Sequence, residues 1–186
     1  FGLSFPGFEA LAQSACRDME YKGFVIEYSV AERKAFHCYI RFPKLLYQAG
    51  ISPHKESKIL IRIDSELKEK VYTPKLAVLN KFAVFARILA APPQILLAQK
   101  MMAVVYRQRE KGRDLFDVSF LMGLTTPDYE YIENILGHSK QDFLDLFTNR
   151  LQDLDLKSLA DEVEPFLFYP EQKNRVAYFL DGWKEA

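Results

Sequence analysis

The first stretch of the chain has apolar residues three or four positions apart. They are Phe8, Leu11, Ala12, Ala15 and Met19. This spacing places them on one face of a helix. Pro6 suits a first helical turn and Gly23 suits a stop, so the pattern predicts a helix over Phe5–Tyr21.

The segments that follow alternate or cluster as strands do. Phe24–Val30 and Ala35–Phe42 are rich in β-branched and aromatic residues, and the polar residues 31–34 between them predict a hairpin. Lys58–Glu66 is the clearest strand: three isoleucines alternate with Leu60, Arg62, Asp64 and Glu66. Leu67–Ala83 fits no single pattern, and Val84–Ala90 predicts another short strand.

From Pro92 onward the pattern is helical. The predicted helices are Pro93–Glu110, Arg113–Gly123, Pro127–Leu136, Lys140–Leu151, Lys157–Phe168 and Glu171–Glu185. A small antiparallel α/β region followed by a helical lobe predicts an α+β fold.

Composition narrows the class of protein. The 186 residues are 49% hydrophobic and 14% aromatic, which supports a folded core rather than disorder. No apolar run is long enough to span a membrane, and no secretory signal opens the chain. Cys16 and Cys38 suit core positions in a reducing cytoplasm, and three histidines share no ligand-like spacing. The cytoplasm is therefore the expected location.

The zero net charge is unevenly distributed. Residues 1–93 carry 14 Lys or Arg against 9 Asp or Glu, whereas residues 128–186 carry 6 against 13. This asymmetry fits a basic cleft beside an acidic lobe, and it fits equally two solvated surfaces of different sign.

Three segments carry candidate chemistry. Asp64 follows the isoleucines of a strand, where it suits a metal ion, a basic partner or a solvated strand end. Lys100 and Arg107 are seven residues apart on an apolar helix and so lie almost in line, as a phosphate site or an ordinary boundary pair. Asp114 and Asp117 share a helix face, and Asp114 suits a helix cap, a salt bridge to Arg107 or Arg113, or a functional carboxylate.

In this order the motifs resemble the AbiEii/AbiGii nucleotidyltransferase family. They are Lys58-Ile-Leu-Ile-Arg-Ile-Asp64, then Pro92-Pro-Gln-Ile-Leu-Leu-Ala-Gln-Lys100 with Arg107, then Gly112-Arg-Asp114-Leu-Phe-Asp117. The resemblance covers roughly residues 55–125, and its glycine–arginine–aspartate segment is the most specific part.

The resemblance implies part of a polymerase-β-like nucleotidyltransferase core over residues 1–91 and a helical lobe over residues 92–186. It implies catalytic roles for Asp64, Lys100 and Asp114, with Asp64 a ligand of Mg²⁺. Nucleotide binding would fall to Lys100, Arg107 and Asp117. These implied roles predict that Asp64, Lys100 and Asp114 face one common cleft.

The implied function is that of a toxin from a bacterial toxin–antitoxin or phage-defence system. Such a toxin would transfer a nucleotide from an NTP to an acceptor such as tRNA, and it would have a cognate antitoxin protein. One departure is large: the family's glycine–x–aspartate–x–aspartate pattern is absent from residues 1–186. The chain begins at Phe1 rather than Met, so we expect the aspartate pair upstream and the 186 residues alone to be inactive.

Two alternatives stay open from the sequence. One is a catalytically silent scaffold or protein-binding module that retains the fold. The other is a stand-alone nucleic-acid-binding domain, because residues 100–113 hold five basic residues and one acidic residue. That cluster is small, and the neutral chain does not favour it.

Overall fold

The computed structural model describes residues 4–33, 35–65 and 72–185, which divide into two compact units. The first unit, Phe1–Lys70, has one long helix and a three-stranded antiparallel sheet in the order β1-β2-β3. Its elements are α1 (Phe5–Tyr21), β1 (Glu27–Glu32), β2 (Phe36–Pro43), a one-turn helix α2 (Leu45–Gln48) and β3 (Lys58–Ser65).

Helix α1 covers one face of this sheet. Ser4 caps the helix by accepting a hydrogen bond from the backbone of Gly7, and Pro6 lies in the first turn. The apolar stripe of α1 and alternate residues of β2 form a common core of Phe8, Ala12, Cys16, Phe36, Cys38, Ile40 and Phe42. The predicted helix is therefore confirmed, as are the core positions of both cysteines.

Strand β3 departs from the pattern that the isoleucines predicted. Ile59 packs against the core, but Ile61 and Ile63 are exposed, as is Leu60 on the other face. The strand pairs with β2 along its whole length, from Pro43–Lys58 to Phe36–Ser65. Alternation correctly predicted the strand, but not how much of its apolar face is covered. Glu66 lies outside the described residues.

The second unit, Val71–Ala186, contains a β-hairpin and a helical lobe. The hairpin consists of β4 (Lys75–Lys81) and β5 (Val84–Ala90). The helices are α3 (Pro93–Tyr106), α4 (Gly112–Met122), α5 (Tyr129–Leu136), α6 (Lys140–Gln152), α7 (Leu156–Val163), α8 (Asn174–Ala177) and α9 (Phe179–Glu185). Leu97, Met101, Leu115, Val118, Phe143 and Phe147 are among the buried side chains of their shared core.

Two of the predicted helices are too long, and a third is interrupted. The first ends at Tyr106 instead of Glu110, because Arg107 adopts an extended backbone. Helix α7 ends at Val163, and residues 164–166, which include Pro165, form a 3₁₀ turn. The last is divided into a 3₁₀ turn over residues 170–173, then α8 and α9.

The α+β class is confirmed, with antiparallel sheets first and a helical region after them. Within the ambiguous segment Leu67–Ala83, residues 67–71 lie outside the described residues and residues 75–81 form β4. The division of the chain into a core over residues 1–91 and a lobe over residues 92–186 stays a prediction. Among the described helices, none has the length and apolar character to cross a membrane.

Candidate functional site

Two consecutive helices of the second unit bring four of the predicted site residues together. Helix α3 carries Lys100, and Arg107 is the residue directly after its last turn, seven residues further along the chain. Helix α4 carries Asp114 in its first turn and Asp117 three residues later. The helices pack against each other through Leu97, Met101, Leu115 and Val118, so their charged faces meet beside a dry interface.

The four charged groups form one ion-pair network. The ammonium of Lys100 donates to Oδ1 of Asp114 at 3.3 Å and lies 2.6 Å from Oδ2 of Asp117. Nε of Arg107 lies 3.2 Å from Oδ2 of Asp114. We call these four residues the Lys100 network. It contains two cations and two carboxylates, so its formal charge is zero.

Exposure distinguishes the two carboxylates. The side chain of Asp114 is only 2% exposed, whereas that of Asp117 is 42% exposed and that of Lys100 is 33% exposed. A buried carboxylate requires nearby cations, because the loss of hydration is otherwise uncompensated. Asp114 is thus the fixed member of the network, and Asp117 is the member that solvent or a ligand reaches.

Asp114 lies in the first turn of helix α4, but it does not cap the helix. The N-cap is Lys111, and no side chain at that position bonds to the helix backbone. Oδ2 of Asp114 has no aligned hydrogen-bond donor among the described residues, although Arg107 lies within ion-pair distance. The capping hypothesis is therefore wrong, and the predicted salt bridge to Arg107 is confirmed. The negative charge of Asp114 still interacts favourably with the N-terminus of helix α4.

Glu162 of helix α7 performs the capping from a distance. Its Oε2 accepts a hydrogen bond from the backbone of Gly112 at 3.3 Å, and its Oε1 pairs with Lys111 at the same distance. The Gly112 N–H and, secondarily, Lys111 hold the pKa of Glu162 below its ordinary value. No local pattern identified Glu162, because fifty residues separate it from Gly112.

Gly112 allows α4 to begin at this place. A Cβ at Gly112 would overlap the carbonyl oxygen of Leu159 and lie 2.7 Å from Cγ2 of Val163. Only a residue without a side chain permits this approach of α4 to α7. The glycine of the glycine–arginine–aspartate segment thus has a packing reason, and it fixes where Asp114 enters the network.

Arg150 of helix α6 anchors the other end of the same connection. Its Nε donates to the backbone carbonyl of Val104 at 3.5 Å, and its Nη2 donates to Glu110 at 2.6 Å. A cation at a helix C-terminus satisfies carbonyls that lack an intrahelical partner. Arg150 and Glu162 together secure the two ends of residues 107–111. Sequence reasoning missed both.

Asp64 lies in the first unit, in a different local setting. It stands directly opposite His37 in the β2–β3 register, and its Oδ1 lies 2.6 Å from Nδ1 of His37. The same oxygen accepts a hydrogen bond from Nε of Arg62 at 2.7 Å. His37 and Arg62 hold the pKa of Asp64 below its ordinary value. The side chain stays 47% exposed.

The structure therefore groups Lys100, Arg107, Asp114 and Asp117, and it describes Asp64 within a separate unit. The common cleft for Asp64, Lys100 and Asp114 stays a prediction. Over residues 4–33, 35–65 and 72–185, no three His, Cys, Asp or Glu side chains form a group able to hold a metal ion.

The chain is thus an α+β protein in which antiparallel strands precede a helical region. A lysine–aspartate network lies at the start of that helical region. Comparison with known families identifies it further. A family profile described as "Nucleotidyl transferase AbiEii toxin, Type IV TA system" matches residues 3–178. The chain belongs to the AbiEii family of nucleotidyltransferase toxins. No curated protein and no solved structure gives a significant match to the sequence.

Proposed function

We propose that the intact protein transfers a nucleotide from an NTP to an acceptor, with tRNA as the acceptor class. In this reaction an acceptor oxygen bonds to the α-phosphorus, and the bond to pyrophosphate breaks. The observation that carries the proposal is the Lys100 network, which places a partly exposed ammonium beside one buried and one solvent-exposed carboxylate. Family membership supplies the reaction class.

Lys100 is the residue that we assign to the nucleotide phosphates. Negative charge accumulates on phosphate oxygens during nucleotidyl transfer, and a fixed cation stabilises it. Asp114 keeps the ammonium in place from the buried side. Asp117 occupies the solvent side, where a phosphate oxygen would replace its carboxylate as the partner of Lys100. Arg107, also bound to Asp114, adds a second positive charge directly after the C-terminal end of α3.

The family resemblance also implies Mg²⁺. That ion takes near-octahedral oxygen coordination, usually with few protein carboxylates. Asp64 is the candidate carboxylate among the described residues, and His37 and Arg62 already occupy its Oδ1. The described residues do not hold the ion by themselves, so we assign no step to it. A cognate antitoxin is the partner that a toxin of this class implies.

The test compares two lysines in the complete gene product. Lys100→Met is expected to lower label transfer from NTP to tRNA by roughly 10²–10³-fold, the cost of losing one strong electrostatic contributor. Lys157→Met is the matched control, because Lys157 is an exposed helical lysine outside the network. Melting curves of both variants separate loss of chemistry from loss of fold.

The competing reading is the silent scaffold, in which Lys100 and Asp114 are only a structural pair. Its specific support is that Lys100 already contacts two carboxylates. Absence of transfer by the unmodified complete protein, with every nucleotide and with tRNA, would favour it. Full transfer by a folded Lys100→Met protein would refute the role that we assign to Lys100.

A further inference from the structure

A cavity lies within the second unit, beside the N-terminal part of helix α3. Its volume is about 460 Å³, within the usual range of small-molecule sites. The chain before β4, the start of α3 and the start of α5 form its walls. Tyr131 is the buried aromatic residue of its lining, so we call it the Tyr131 cleft.

The Tyr131 cleft is distinct from the Lys100 network. Gln94 lines the cleft, and Lys100 follows it by six residues on the same helix. Six residues correspond to an angular separation of roughly 120° around a helix, so the two side chains leave α3 on different sides. Neither Lys100 nor Gln99 lines the cleft, but the amide of Gln99 donates to the hydroxyl of Tyr131 at 3.0 Å.

The wall of the cleft contains an unused hydrogen-bond acceptor. Oε1 of Gln94 is buried and has no donor among the described residues. A buried acceptor without a partner is costly, so a rotation of the Gln94 side chain that brings this oxygen to an N–H group of a ligand in the cleft would satisfy it. The exposed amide of Asn134, on α5, adds a donor and an acceptor at the same cleft.

The charges of the lining select against a phosphate group. Lys75 is the single cation, and Asp128 and Glu130 are two acids. Asp128 also accepts the backbone N–H of Tyr131 at 2.8 Å, which holds its carboxylate at the cleft as the cap of α5. A ligand rich in N–H donors fits this balance, whereas a multiply charged phosphate does not.

Aromatic rings give the cleft a preference for flat ligands. Tyr72 and Tyr131 meet edge to face, with their centroids 6.1 Å apart and their planes at 72°. Tyr131 is almost fully buried, so the ring surface on which a planar group can stack is that of the partly buried Tyr72. The hydroxyl of Tyr131 is fixed by Gln99, so this ring is held before any ligand arrives.

We propose that the Tyr131 cleft binds a nucleobase. A base is planar, and its edge carries the N–H donors that Gln94, Asn134 and the carboxylates can accept. The base belongs either to a free nucleotide or to an unpaired residue of an RNA. The inference rests on the proposed function for the origin of that base, but binding itself is measured without any transfer reaction.

The experiment uses the ¹⁵N-labelled chain and the four nucleosides, which carry no phosphate. At millimolar concentration at least one nucleoside is expected to shift the side-chain amide signals of Gln94 and Asn134. Asn134→Ala should weaken its binding roughly fivefold to tenfold, the effect of one lost hydrogen bond. Asn149→Ala is the matched control, because Asn149 is an exposed asparagine on α6, and it should leave binding unchanged.

Further titrations identify the source of the base. Inorganic triphosphate should not displace the nucleoside. Tighter binding of the NTP than of its nucleoside would assign the cleft to the donor substrate, and tighter binding of a short unstructured RNA would assign it to the acceptor.

Three results would overturn the inference. They are the absence of any shift at Gln94 and Asn134, equal binding by the Asn134 and Asn149 variants, and displacement of the nucleoside by triphosphate. Transfer by the complete protein without nucleoside binding would leave the proposed function standing and remove only this site. Nucleoside binding without transfer would leave this site standing and remove the proposed function.

Discussion

Asp64 and Asp114 are both candidate catalytic carboxylates, and the two units of the chain hold them differently. Asp64 lies on an open sheet face and is bonded by its cross-strand neighbour His37 and by Arg62, two residues away. Asp114 is almost fully buried, and its cations come from the preceding helix. An exposed carboxylate can exchange its partners for water or a ligand, whereas a buried one depends on them for stability. We therefore expect Asp64 to matter for function alone, and Asp114 to matter for both function and stability.

The largest expected effect concerns transfer by the complete protein. Asp64→Asn and Asp114→Asn should each lower the transfer rate by roughly 10²–10³-fold, because each removes a charge that the chemistry uses. Only Asp114→Asn should also lower the free energy of unfolding, by about 1–3 kcal/mol, since it removes the buried carboxylate charge with which Lys100 and Arg107 pair. Urea unfolding measures stability, and Asp18→Asn, at an exposed position of α1, is the control. Equal unfolding curves for Asp64→Asn and Asp114→Asn would remove the contrast.

An intermediate effect is expected at Gly112, which sets the position of Asp114. Gly112→Ala should destabilise the second unit by about 1–3 kcal/mol, because the new methyl group collides with helix α7. Gly182→Ala is the control: a Cβ there meets nothing within 4 Å. Thermal unfolding of the two variants is the measurement. A melting temperature for Gly112→Ala as high as that of Gly182→Ala would show that the close contact of α4 with α7 is not required.

The smallest effect concerns Glu162, and it depends on pH. The folded pKa of this carboxyl is lower than its ordinary value of 4.5. Its stabilisation is therefore fully present above pH 4.5 and is lost as the pH falls through the folded pKa. Glu162→Gln should lower the free energy of unfolding by roughly 0.5 kcal/mol at neutral pH, a value reduced for solvent screening.

The same difference should vanish at an acid pH below the folded pKa, where both the folded and unfolded states bind the proton. Urea unfolding at both pH values measures it, with Glu133→Gln, at an exposed position of α5, as the control. A difference that persists unchanged in acid would mean that the carboxylate of Glu162 does not act through its charge.

The sequence predicted those features that depend on neighbours along the chain. Helix α1 has its predicted bounds because Ser4, Pro6 and its apolar stripe are all local signals. Lys100 and Arg107 both reach Asp114, because the helix that carries Lys100 continues to the residue before Arg107. The pairing of Asp114 with Lys100 and Arg107 is also expected, because these residues are close along the chain. The burial of Asp114 could not be predicted in this way.

Features that depend on distant residues were not predictable. Helix α3 ends four residues before its predicted end, although no glycine or proline marks that point. Its end depends on contacts with other helices, because Arg107 pairs with Asp114 and Arg150 donates to the carbonyl of Val104 and to Glu110. Glu162 bonds to the start of α4 from fifty residues away. The spacing of His37 along the chain matches no metal site, yet strand pairing places this residue directly opposite Asp64. Such contacts require a tertiary structure, and periodicity along a single chain does not report them.

The anchors at the two ends of residues 107–111 also impose an order on assembly during synthesis. Lys100 and Asp114 are separated by 14 residues, so their pair can close soon after both have left the ribosome. The bond from Arg150 to Val104 spans 46 residues, and that from Glu162 to Gly112 spans 50. Because an N-terminal region emerges first, the network exists in outline before α6 and α7 can secure it. A growing chain therefore does not carry the finished site until most of its helical lobe has been made.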